Sequence, residues 1–172
     1  KYIPCCGLGL CGDSIWGVKD FSLGIPPGQC FGLLGVNGAG KTTMFSMLTG
    51  KIRVTSGDAY VSGKSVVHDL SVALANVGYC PQFDALNNYL TGSETLQFYA
   101  ALRGLEKEDA NRMTQQLIEQ MGLEAFAKRR CGTYSGGNKR KLSTAIALIG
   151  DPDLVLLVRK SCYSDGFCKH KT

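Results

Sequence analysis

The period of the apolar positions changes several times along this chain, and each change marks an element. The run QCFGLLG, residues 29–35, is short, continuous and closed by glycine, which predicts a buried strand. KTTMFSMLTG, residues 41–50, follows as a helix, with Met44 and Leu48 one turn apart and Gly50 as its stop. GDAYVSG, residues 57–63, predicts a short strand between turns, and NVGYCPQ, residues 76–82, a strand stopped by Pro81. The middle of the chain is helical. Residues 91–104 open on Thr91 and Glu94, a capping box, and close at Gly104. Leu96, Tyr99, Ala100 and Arg103 fall on one side of this helix, and Phe98 with Leu102 extend its apolar face. Residues 107–122 place Ala110, Met113, Leu117 and Met121 on one stripe before Gly122, spacing that predicts core packing. Residues 135–150 predict a further helix with Leu142, Ala145, Ile146 and Ile149 inward and Gly150 as the stop. Asp151 and Pro152 then turn the chain into a buried strand at 154–158. The order is strand, glycine-rich loop, helix, strands, helical block, strand: an α/β domain with an inserted helical part.

Composition narrows this only a little. A chain of 172 residues builds one domain with a real core. Its net charge of +5 reads as a solvated surface, and no aromatic-interleaved basic groove points to nucleic acid. No run approaches the ~18 apolar residues of a membrane span. The start, KYIPCCGLGLCGDSIW, lacks the charged head and cleavage site of a signal peptide. Residue 1 is Lys, so a fragment or processed piece is expected. Of eight cysteines, Cys30 and Cys80 sit in strand-like runs and are expected as buried free thiols. Cys162, Cys168 and His170 lie close together, but without zinc-ligand spacing they are not read as a metal site. Whether CCGLGLC is lipidated stays open.

The chemistry concentrates in GVNGAGKTT, residues 35–43, which fits G-x-x-x-x-G-K-[ST] through Gly35, Gly40, Lys41 and Thr42. A predicted strand precedes it and a predicted helix follows. Glycines let the backbone curl so that several N–H groups converge on one anion, and Gly38 permits further close approach. The helix N-terminus adds partial positive charge. Lys41 supplies a full charge for β- and γ-phosphates, and Thr42 a hydroxyl for Mg²⁺. This defines a nucleoside triphosphate site without defining the machine. Other stretches discriminate. YCPQFDAL puts Gln82 just after a strand. YSGGNKRK, residues 134–141, makes a second anion-ready helix start from a Ser hydroxyl, small residues and a basic first turn. A GTPase is disfavoured, because Asn138-Lys139-Arg140-Lys141 lacks the Asp of the guanine-reading pattern. A small-molecule kinase gives no reason for either YCPQ or YSGGN.

Taken together, GVNGAGKTT, CPQFD and YSGGNKRKLSTAIALIGDPDLVLL resemble the nucleotide-binding domain of ABC transporters. The wording is closest to the A subfamily of eukaryotic lipid exporters, over roughly residues 17–157. The resemblance implies a P-loop NTPase core with an antiparallel β subdomain and an inserted helical subdomain at about 88–134, with the C-terminal part missing. It implies an incomplete cassette over 1–157 and a divergent basic tail over 158–172. Gly35, Asn37, Gly38, Gly40, Lys41, Thr42 and Thr43 would hold ATP phosphates. Thr42 and Gln82 would face Mg²⁺, with Gln82 also coupling to the membrane domain. Ser135, Gly136 and Gly137 would reach the nucleotide of a second cassette, so that two domains clamp two ATP molecules. Tyr2 is the candidate for stacking on adenine. The implied setting is the cytosolic face of a membrane transporter whose transmembrane domains are supplied elsewhere.

The chain departs from that family at one place. After four apolar residues the family pattern carries Asp, for the magnesium, then Glu, for the attacking water. Here those positions hold Val158 and Arg159. Asp153 stands at the wrong end of the strand, Asp165 follows no apolar run, and His170 has no strand context for the family's switch histidine. No acid can be assigned the missing role. The expectation is a truncated or alternatively spliced ATP-binding cassette, or an error in the gene model, and a chain that binds ATP and hydrolyses little or none. The alternative is a non-hydrolysing regulatory short isoform that binds ATP or a partner cassette.

Overall fold

The computed structural model describes residues 17–83 and 85–158. These divide into two compact units, one running up to Leu70 and one from Ser71 onward.

In the first unit, helix α1 spans Lys41–Leu48 and a hairpin follows. Strands β1 (Tyr60–Val61) and β2 (Lys64–Ser65) pair antiparallel, with Tyr60 opposite Ser65 and Val61 opposite Lys64. Ser62 and Gly63, both at positive φ, make the tight turn that a two-residue hairpin loop requires. Asp58 ties the hairpin's open end. Its carboxylate accepts from Ser65 Oγ at 2.7 Å and from the Ala59 amide at 2.7 Å. The Ser65 hydroxyl chiefly, with backbone amides, holds the Asp58 carboxyl below its usual range.

The apolar run at 29–35 is not a strand. No strand pairs with it among the described residues, and Leu34 is 92% exposed. Cys30, expected buried, is exposed with it. Strand identity requires a hydrogen-bonded neighbour, and an apolar run alone does not supply one. The strand expected across 57–63 likewise contracts to β1, two residues long.

The second unit carries the core. It contains α2 (Leu70–Ala75, beginning at the boundary residue), β3 (Val77–Cys80), α3 (Gly92–Leu102), α4 (Lys107–Met121), a 3₁₀ turn at Cys131–Thr133, α5 (Gly136–Leu148) and β4 (Leu154–Leu157). Strands β3 and β4 pair in parallel, Val77 opposite Leu154 through Cys80 opposite Leu157. A parallel pair needs a long crossover, and the helical block supplies it. Helix α3 packs on α4, and α5 touches both helices and both strands. Leu96, Ala100, Leu117, Ile118, Leu123, Cys131, Tyr134, Leu142, Ala145 and Ile149 form one buried cluster. Cys80 is fully buried, as expected.

Each helix of the block ends where its local chemistry directs. Gly122 closes α4 in the left-handed conformation. Gly150 and Asp151, both at positive φ, turn the chain from α5 towards β4. The expected outer face of α3 differs: Phe98 and Leu102 point to solvent, 53% and 66% exposed, and the buried stripe is Thr95, Leu96 and Ala100. Arg103 does not enter the core; its guanidinium donates to the carbonyls of Ala75 and Val77, both at 2.7 Å. Burial in β4 is also partial, with Leu156 inside and Leu157 48% exposed.

The capping box of α3 forms in full. Thr91 Oγ1 accepts from the Glu94 amide at 3.2 Å, and Glu94 accepts from the Thr91 amide at 2.8 Å. The Thr91 backbone bond, then its hydroxyl, lowers the Glu94 carboxyl below its ordinary value. A lowered acid stabilises the fold above its unfolded pKa and loses that contribution as pH falls through the folded one. The stability gap between the native chain and Glu94→Gln is therefore expected at neutral pH and closed in strong acid, read by urea unfolding at a series of pH values. Thr91→Ala is expected to cost about 1 kcal/mol at neutral pH in the same measurement.

Candidate functional site

The glycine-rich loop lies in the first unit. Val36–Ala39 is a turn closed by the Ala39 amide on the Val36 carbonyl at 3.2 Å, with Asn37 and Gly38 at its centre. Gly38 has φ +87, and a Cβ there would meet nothing within 4 Å, so it is free of protein on that side. Gly40 is the N-cap of α1 at φ +84. A Cβ on Gly40 would lie 2.3 Å from the Gly17 carbonyl oxygen, so this position needs glycine for conformation and for space. Gly40 has no side chain with which to cap α1. The amides of the first turn carry the partial positive charge of the helix end.

Lys41 bends back over the loop. Its Nζ donates to the carbonyls of Gly35 at 2.6 Å and Val36 at 2.7 Å. An ammonium has one further N–H to give. Gly35 keeps the space beneath it open: a Cβ there would sit 3.3 Å from Ala39 Cβ and 3.8 Å from Lys41 Nζ. Thr42 and Thr43 follow in the first turn. Thr42 is exposed, whereas Thr43 packs under the backbone at Gly17, whose Cβ position would be 2.9 Å from Thr43 Cγ2. An uncapped helix start, a curled glycine turn and a tethered lysine fit a polyphosphate chain.

The remaining candidates lie in the second unit. Gln82 is exposed, two residues past the end of β3. Ser135 caps α5, its hydroxyl accepting from the Asn138 amide at 3.2 Å. Ser135, Gly136 and Gly137 are all exposed. A Cβ on Gly136 would meet nothing within 4 Å, and one on Gly137 only the Ser135 hydroxyl at 3.9 Å. Among the described residues nothing demands glycine there. Tyr134 anchors the approach, its hydroxyl donating to the Phe126 carbonyl at 2.7 Å and its ring edge-on to Phe126.

Asp153 is accounted for structurally. Its carboxylate accepts from Asn76 Nδ2 at 3.0 Å, clipping the N-terminal ends of β3 and β4. Tyr2, Arg159, Asp165, Cys162, Cys168 and His170 lie outside the described residues. Among the described residues no cluster of His, Cys, Asp and Glu could hold a metal ion, and no helix is long and apolar enough to cross a membrane. The side chain that sequence reasoning passed over is Arg140, whose guanidinium donates to the carbonyls of Pro81 and Val158. In the sequence, within YSGGNKRK, it reads as part of an anion-binding face near the start of a helix.

A phosphate loop at a helix start and a parallel strand pair reached through a helical crossover define a P-loop nucleotide-binding protein. Comparison with known proteins makes this specific: the ABC transporter family matches residues 18–157, and the chain belongs to that family. Its relatives place it in the A subfamily. It is 59% identical over 146 residues to the retinal-specific phospholipid-transporting ATPase ABCA4 of Bos taurus, covering 85% of this chain and 6% of that protein. It is 52% identical over 143 residues to ATP-binding cassette sub-family A member 2 of Homo sapiens, covering 83% and 6%. It is 50% identical over 148 residues to the phospholipid-transporting ATPase ABCA3 of Mus musculus, covering 86% and 9%. The chain thus spans less than a tenth of the length of these relatives. Among solved structures, an ATP-binding subunit of an ABC transporter matches with TM-score 0.64 and 25% identity, over 72% of this chain and 52% of that one.

Proposed function

We propose that this chain is the ATP-binding part of a cassette, at about 1–157, that couples nucleotide binding to lipid movement by a membrane transporter. The observation that carries the reading is the start of α1: Gly40 offers the first amides no side-chain cap, and Lys41 Nζ is held above the loop with an N–H to spare. Gly35, Asn37, Gly38, Gly40, Lys41, Thr42 and Thr43 would hold the phosphates, and Tyr2 would stack on the base. Thr42 and Gln82 offer the hard oxygens that Mg²⁺ prefers. When bound, the ion neutralises phosphate charge. Ser135, Gly136 and Gly137 would contact the nucleotide of a second cassette, a role supported by glycines that no contact among the described residues requires. Residues at about 88–134 would form the helical subdomain of the cassette. Transmembrane domains of the same transporter would be the other partner, with the cassette on the cytosolic face.

Hydrolysis is a separate matter. The residue after β4 is Val158, which can neither support magnesium nor polarise water. The chain is expected to bind ATP with Mg²⁺ in equilibrium titration and to release phosphate at no more than the background rate. Turnover comparable to that of an intact cassette would overturn the deficiency, and absence of ATP binding would overturn the whole reading. One observation favours a second reading, in which the chain acts as a non-hydrolysing regulator of a partner cassette. The second unit has a core of its own, with Leu96, Leu123 and Leu142 at most 1% exposed. A folded chain that binds ATP and alters a complete cassette's turnover would support it.

A further inference from the structure

Strands β3 and β4 run in parallel and end together, and one side chain spans their exits. The last rung of the ladder is the Val158 amide, which donates to the Cys80 carbonyl at 3.0 Å. Just past that rung, one terminal nitrogen of Arg140 donates to the Pro81 carbonyl and the other to the Val158 carbonyl. Both carbonyls are main-chain acceptors at points where a strand becomes a loop. Pro81 cannot donate to a ladder, so β3 stops at Cys80, and the Pro81 carbonyl is a group that can be gripped. The peptide bond gripped at Pro81 is the one that joins it to Gln82. Arg140 itself stands on α5, five positions beyond the Ser135 cap.

We propose that Arg140 is a positioning residue: its guanidinium fork ties helix α5 to the strand exit that carries Gln82, and so sets the placement of Gln82 within its own unit. This rests on the reading of Gln82 as a nucleotide-side residue. The planar fork matters, because its two terminal nitrogens reach two carbonyls at two strand exits at a fixed separation. Lysine carries the same charge at one point and cannot hold both in that geometry. A movement of α5 at its Ser135 end would reach Gln82 through this bond, and the reverse.

The test uses the full 172-residue chain in a double-mutant cycle of Arg140→Met and Gln82→Ala, with ATP and ADP affinities measured in the presence of Mg²⁺, and with Arg140→Lys beside them. Amide exchange at Val158 in the absence of nucleotide is the second readout. Arg140→Met is expected to weaken ATP binding about tenfold, the effect of one lost charge-assisted hydrogen bond, and to leave ADP within about twofold. In the Gln82→Ala background it is expected to add nothing. Val158 exchange should rise about tenfold while α3 and α4 keep their protection. Arg140→Lys should resemble Arg140→Met. Equal weakening of both nucleotides, additivity with Gln82→Ala, full rescue by lysine, or unchanged Val158 exchange would each overturn the proposal. If the native chain bound neither nucleotide, the nucleotide reading would fall, and with it the proposed role, whereas Val158 exchange would still decide whether the clamp exists.

Discussion

Lys41→Ala is expected to weaken ATP binding about 10- to 100-fold and to leave the unfolding transition almost unmoved. The first half follows from charge. A hydrogen bond to an ionised group contributes about 1.5–3 kcal/mol, and each ~1.4 kcal/mol is a factor of ten in the dissociation constant. The second half follows from where the ammonium sits. Its partners are two carbonyls of an exposed turn, which water can satisfy when the lysine is gone. A titration at fixed salt, with a thermal melt of the same preparation, separates the two. Similar ATP affinities for the variant and the native chain would remove Lys41 from the site. A large drop in melting temperature would mean that the lysine organises the loop rather than the ligand.

That contrast between local and non-local chemistry also explains what could be read from the sequence. The phosphate loop was legible because glycine conformation, a helix start and one lysine are properties of nine consecutive residues. Helices α3, α4 and α5 were legible for the same reason: the Thr91–Glu94 box and the glycines at 104, 122 and 150 are local stops and starts. The run at 29–35 failed as a strand because pairing is decided by another segment, and its composition carries no record of that partner. Phe98 and Leu102 sit at helical spacing, yet the packing of α3 against α4 selected the stripe through Leu96 and Ala100 instead. Helix α2, with Ala73 alone buried, is too short to show a period. Arg140 was hidden for a related reason. Nothing in NKRK distinguishes a guanidinium facing solvent from one donating to carbonyls 59 and 18 residues away.

Gly78→Ala is expected to be the most damaging single-methyl change in the second unit, costing about 3 kcal/mol or more and lowering the melting temperature accordingly. Gly78 lies inside β3 opposite Val155, at a φ that any residue adopts, so conformation is not the reason for glycine. Space is. A Cβ there would sit 1.9 Å from the Ala147 carbonyl oxygen and 3.0 Å from its carbonyl carbon and from Pro152 Cγ. The nearest atoms in the way are the Ala147 backbone, and the third belongs to the rigid Pro152 ring, not to the far end of a flexible side chain. Making room means lifting the C-terminal end of α5 off the sheet, and that end is held by Ala145 and Ile149, buried in the core cluster. The strain would therefore spread to the elements that carry Ser135 and Gln82. Gly136→Ala is the matched control. Its Cβ meets nothing within 4 Å, and alanine suits a helix better than glycine by about 0.5–1 kcal/mol. Urea unfolding should place Gly78→Ala far below the native chain and Gly136→Ala level with it or above. A Gly78→Ala chain as stable as the native one would mean that α5 is not seated on β3 as closely as these distances require.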